Sequence, residues 1–123
     1  MPLIVIAEDE FLIADVLAMM LEDAGYEVAS APHGVAALAL IKENRPALVI
    51  TDFMMPLMTG LELAQSIRAD PELTSIPIIL TSGAQGSIGR AEPQMFNAVL
   101  DKPYNERQLT KLISELLDGE AAP

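Results

Sequence analysis

Apolar residues along this chain follow two alternating patterns. Short unbroken runs of β-branched and aliphatic residues occur at Leu3 to Ala7, Leu48 to Ile50 and Ile76 to Leu80, and longer stretches between them carry apolar positions at helical spacing. Unbroken runs suit strands covered on both faces, and their alternation with helical stretches predicts parallel βα units. Glu27 to Ala31 and Ala98 to Leu100 are weaker runs that predict the second and fifth strands. The reading is one α/β domain with a five-stranded parallel sheet and five helices.

The helices differ in how clearly they are marked. Leu109, Leu112, Ile113, Leu116 and Leu117 fall at i, i+3, i+4, i+7 and i+8, one apolar stripe that predicts a final helix docked on the sheet. Helix one is expected from about Phe11 to Asp23, stopped by Gly25, and helix two from about Val35 to Asn44, stopped before Pro46. Helix three opens with Thr59 as N-cap and Glu62 three residues on, a capping box. Helix four is poorly specified. Gly83, Gly86 and Gly89 precede Pro93, and each glycine costs about 1 kcal/mol against alanine in a helix, so a short or frayed helix is expected. Residues 120–123 read as a disordered tail after a domain spanning 1–119, with no room for an output domain.

Composition narrows the function. The chain has 123 residues, room for a single core, and no Cys, which removes disulfides and thiolate metal sites. Met1 leads straight into strand one without a basic leader or cleavage site, and no apolar run reaches the roughly 20 residues of a membrane span. A formal charge of −11 argues against nucleic acid or an anionic membrane as partner. A cytoplasmic protein that meets cations or basic protein surfaces is expected.

The chemistry gathers where each apolar run ends. Glu8, Asp9 and Glu10 follow strand one, Asp52 follows strand three, Thr81 and Ser82 strand four, and Asp101 and Lys102 strand five. In a parallel sheet these groups share the carboxyl edge, where open α/β sheets bind ligands. Crowded carboxylates repel unless a cation neutralises them, and an all-oxygen donor set suits Mg²⁺. A bound Mg²⁺ and Lys102 attract phosphate oxygens, Asp52 is then placed as a nucleophile able to form an acyl phosphate, and Thr81 as a donor to it. His33 stands alone and reads as a loop residue. Met54, Met55 and Met58 read as a soft apolar loop packed beside the pocket.

Four segments in order carry a resemblance that spans nearly the whole chain: Ile4 to Glu10, Asp52 to Gly60, Ile76 to Ser82, and Lys102-Pro103-Tyr104. Together they resemble the receiver domain of two-component response regulators. The resemblance implies a flavodoxin-like, doubly wound sheet in the order 2-1-3-4-5. It implies phosphotransfer to Asp52 from a histidine kinase or histidine phosphotransfer protein. Mg²⁺ would be held by Asp9, Asp52 and the Met54 backbone carbonyl, with Glu8 contributing through water. Lys102 and Thr81 would bind the phosphoryl group, and the Lys102-Pro103 bond would be cis. Such a protein is no enzyme in the ordinary sense. It assists only its own phosphotransfer and dephosphorylation, and signals as a monomer or weak dimer to a downstream protein target.

Two departures stand out. Glu8 occupies a position where an aspartate is frequent, which leaves Mg²⁺ binding intact. Val99 stands three residues before Lys102, where many receivers carry Tyr or Phe, so relay by a rotating aromatic is not expected. Ordering of the segment from Gly83 to Pro93 is the expected substitute. The competing readings are a receiver-like module that docks without being phosphorylated, and an enzyme on the same fold. A phosphatase wants an aspartate where Met54 stands, and a flavin protein wants a phosphate loop after strand one.

Overall fold

The computed structural model describes residues 1–83 and 86–121, with side chains to residue 118. Strands β1 (Leu3–Ala7), β2 (Glu27–Ala31), β3 (Leu48–Asp52), β4 (Ile78–Ser82) and β5 (Ala98–Asp101) alternate with helices α1 (Phe11–Asp23), α2 (Gly34–Asn44), α3 (Gly60–Ala69), α4 (Gly86–Arg90) and α5 (Glu106–Ala121). The strands form one parallel sheet in the order β2-β1-β3-β4-β5. The order reverses between β1 and β3, which places a crevice at their carboxyl ends.

Alternation along each strand sends side chains to two cores. Val5, Val49, Ile78 and Leu80 pack with Ala37 and Ile41 of α2 and with Leu63, Ala64 and Ile67 of α3. Ile4, Ile6, Leu48, Ile50 and Ile79 pack with Leu17 and Leu21 of α1 and with Leu109 and Ile113 of α5. Every one of these residues is at most 4% exposed. Burial on both faces explains why the central strands lack polar alternation.

Several boundaries differ from the sequence reading. β4 begins at Ile78, because the Ile76 N–H is taken by the Leu73 carbonyl at 3.0 Å and Pro77 has no N–H to give the ladder. β3 and β4 run on to Asp52 and Ser82, since these polar ends remain hydrogen-bonded in register with their neighbours. α2 starts at Gly34 with His33 as its N-cap, the imidazole Nδ1 accepting from the Ala36 N–H at 3.1 Å, so His33 is a capping residue. The capping box of α3 is present, Thr59 and Glu62 bonding each other's backbone N–H at 3.1 and 2.9 Å. A second reciprocal pair, Asn105 with Gln108, opens α5. α4 is short, with five residues. The expected tail falls partly in α5, which reaches Ala121, and at residues 122–123 outside the described residues.

Candidate functional site: an acidic pocket at the carboxyl edge

β1 and β3 deliver the carboxylates. Glu8 leaves β1 with its N–H held by the Ala31 carbonyl at 3.1 Å, and its side chain is 4% exposed. Asp52 closes β3 opposite Thr81 of β4, with its side chain 14% exposed. Asp9 is exposed beside them. One carboxylate oxygen from each of Glu8, Asp9 and Asp52 lies within 4.8 Å of the others.

The cation comes from the far edge of the sheet. Lys102 Nζ reaches Asp52 Oδ1 at 3.2 Å and Glu8 Oε1 at 3.6 Å. The Lys102-Pro103 bond is cis. Thr81 is buried, and among the described residues its hydroxyl donates only a long 3.5 Å bond to the Thr51 carbonyl.

The electrostatics follow from burial and crowding. Desolvation raises the Glu8 carboxyl above the ordinary range. The Glu10 N–H, donating to Glu8 Oε2 at 3.1 Å, opposes this, the Asp52 charge adds to it, and Lys102 opposes it. For Lys102 burial acts to lower the pKa, but the Asp52 and Glu8 carboxylates outweigh it and the net is a rise, so the ammonium is firmly held. Burial also raises the neighbouring Tyr104 phenol. A pocket that strains a carboxylate toward its neutral form while holding one ammonium has spare affinity for a cation.

The loop after β3 brings α3 against the site. The Gly60 N–H donates to the Phe53 carbonyl at 2.8 Å, and a Cβ on Gly60 would overlap the Asp52 carbonyl oxygen, so only glycine allows this approach. Leu57 takes a left-handed φ of 72°, a conformation that costs about 1–2 kcal/mol for a residue with a Cβ. Met55 is buried in the core and Met58 packs against it, as expected of a packed loop, whereas Met54 is 57% exposed.

Glu8, Asp9, Asp52, Thr81 and Lys102 therefore share one pocket. Three other strand-end residues do not join it. Glu10 caps α1 without a side-chain bond, Asp101 turns to α4 and pairs with Arg90, and Ser82 is buried opposite Asp101 in register. For Ser82 and Asp101, proximity in sequence to site residues conceals this, because consecutive residues along a strand face opposite ways.

Residues 4–114 match the family described as the response regulator receiver domain. Among curated relatives, the polar-differentiation response regulator DivK of Brucella anthropi is 30% identical over 96% of this chain and 97% of its own length. The phosphate regulon regulatory protein PhoB of Pseudomonas aeruginosa is 31% identical over 93% of this chain, which spans 51% of that protein. Among solved structures, the receiver domain of a signal transduction histidine kinase from Syntrophus aciditrophicus superposes with a TM-score of 0.89 at 29% identity, covering 97% of this chain and 92% of that one. An unbroken family match, the 2-1-3-4-5 sheet and the acidic pocket at its carboxyl edge agree, and the chain belongs to the response regulator receiver domains of two-component systems.

Proposed function

We propose that this protein is a phosphorylation switch that accepts a phosphoryl group on Asp52 in a Mg²⁺-dependent reaction and signals by protein–protein contact. The observation that carries the reading is Lys102 Nζ standing 3.2 Å from Asp52 Oδ1 and 3.6 Å from Glu8 Oε1, beside three carboxylates that converge within 4.8 Å. The donor set is hard oxygen throughout and carries more negative charge than one ammonium balances, which fits Mg²⁺. Glu8, Asp9, Asp52 and the Met54 backbone carbonyl would hold the ion, Glu8 through water. The ion supplies charge neutralisation for the transferring phosphoryl oxygens.

Asp52 attacks phosphorus of a phosphohistidine on a histidine kinase or histidine phosphotransfer protein. The P–O bond to the carboxylate forms as the P–N bond breaks, and the imidazole leaves with the electron pair of that bond. Lys102 neutralises charge on the phosphoryl oxygens, and the Thr81 hydroxyl, held now by one long bond, donates to them. The downstream partner is a protein, in line with the charge of −11. No described helix is long and apolar enough to cross a membrane, and a cytoplasmic setting follows from the donor.

Incubation with Mg²⁺ and a small acyl phosphate, followed by intact-mass measurement, tests the reading. The native chain is expected to gain one phosphoryl group, and Asp52→Asn none. Chelation of the divalent ion is expected to abolish the gain. Absence of any gain in the native chain, with a histidine kinase also supplied, overturns the proposal.

A further inference from the structure

β5 ends at Asp101 and Lys102 follows it, two consecutive charged residues that serve opposite sides of the sheet. Lys102 meets Asp52 and Glu8 in the acidic pocket. Asp101 meets α4, where its carboxylate pairs with Arg90. α4 sets its glycines directly on side chains of β4 and β5. A Cβ on Gly86 would overlap the Asp101 carboxylate, and a Cβ on Gly89 would overlap Leu80 and crowd Val99. The glycines that make α4 a poor helix are thus what seats it, and a helix of five residues has little stability apart from that seat.

Ser82 lies opposite Asp101 in register, fully buried, and its hydroxyl has no hydrogen-bond partner among the described residues. Leaving such a group unpaired is unfavourable. An Asp101 carboxylate turned away from Arg90 has this donor within its own ladder position.

We propose that Asp101 is a two-position latch, paired with Arg90 and holding α4 seated while Asp52 is unmodified, and releasing Arg90 when Asp52 carries a phosphoryl group. The inference rests on the phosphoacceptor reading above, and it reverses the sequence expectation that phosphorylation orders the segment from Gly83 to Pro93. A phosphoryl group places its oxygens beyond the Asp52 carboxylate, Lys102 shifts to follow them, and the peptide it shares with Asp101 moves with it. A carboxylate with two discrete pairings is a bistable element that both sites bias. Val99, too small to act as a lever, lies under Gly89 as part of the seat. Because coupling is reciprocal, a chain whose latch is already broken binds the phosphoryl group more readily.

The test adds beryllium fluoride with Mg²⁺, a phosphoryl mimic, to the full chain and to Arg90→Ala, Arg90→Lys and Gly89→Ala. Amide exchange of residues 86–90 and the apparent affinity for the mimic are measured together. In the native chain the mimic is expected to speed exchange of these amides about tenfold. Arg90→Ala is expected to exchange fast from the start, to respond no further, and to bind the mimic about fivefold more tightly. Arg90→Lys keeps the charge and the native response, while Gly89→Ala, which unseats α4 from the sheet side, behaves like Arg90→Ala. If the native chain binds the mimic with exchange at 86–90 unchanged, or Arg90→Ala responds as the native chain does, the latch is wrong and the phosphoacceptor reading stands. If the native chain binds no mimic and Asp52 takes no phosphoryl group, both are overturned.

Discussion

Arg68 shows how much one side chain can tie together. From the end of α3 its guanidinium donates to the carbonyls of Thr74 and Ile76 at 2.8 and 2.7 Å, to the Met95 carbonyl at 3.0 Å and to Asn97 Oδ1 at 2.9 Å. Asn97 Oδ1 in turn accepts the Ile78 N–H that opens β4. Burial pushes the Arg68 pKa down, yet the group remains charged and all its partners are neutral. A lysine cannot reproduce this fork. Arg68→Lys is expected to lower stability by about 1–3 kcal/mol, read as a lower urea midpoint with an unchanged slope. Tyr104 carries a pH signature. Burial raises its phenol above the ordinary 10.0, so the unfolded chain ionises before the folded one. Stability from this residue is fully present below pH 10.0 and is lost as pH rises toward the raised folded value. Urea unfolding across alkaline pH should therefore steepen in the native chain and flatten in Tyr104→Phe. Identical profiles for the two would refute the assignment.

Among the elements, legibility followed how local the stabilising signal is. The α3 capping box was readable because Thr59 and Glu62 are three residues apart and bond only each other's backbone. Thr59→Ala is expected to cost about 1 kcal/mol and Thr59→Ser to restore most of it, measured by thermal unfolding. The α5 stripe was equally plain, since Leu109 and Ile113 are fully buried on the face that the spacing marks. α4 was not readable in the same way. Propensity counts Gly86 and Gly89 against a helix, and only their contact with Asp101, Leu80 and Val99 shows why they stand there. The His33 cap was hidden for a related reason. A lone histidine has no pattern around it, and its role lies in one bond to Ala36.

For the molecule as a whole, a charge of −11 on 123 residues sets a background of self-repulsion on which the site is built. Raising NaCl from about 0.01 M to about 1 M shortens the screening length from about 30 Å to about 3 Å. The thermal midpoint is expected to rise with it. Mg²⁺ at matched ionic strength should add a further rise that Asp9→Asn and Asp52→Asn both lose. A midpoint that does not climb with NaCl would contradict the repulsion argument, and an equal Mg²⁺ increment in all three chains would contradict the site. What the sequence by itself determined was the order and kind of the elements, the sheet they form and the set Glu8, Asp9, Asp52, Thr81 and Lys102. Burial on two faces and helical periodicity are written into consecutive residues, and a parallel sheet must bring its strand ends to one edge. Tertiary structure alone decided the pairings across the fold. Lys102 meets Asp52 from 50 residues away and Arg68 meets Asn97 from 29, while Asp101 turns from the pocket its neighbour serves. Such contacts depend on distance and direction in space, and a side chain's neighbours across a sheet leave no period along the chain.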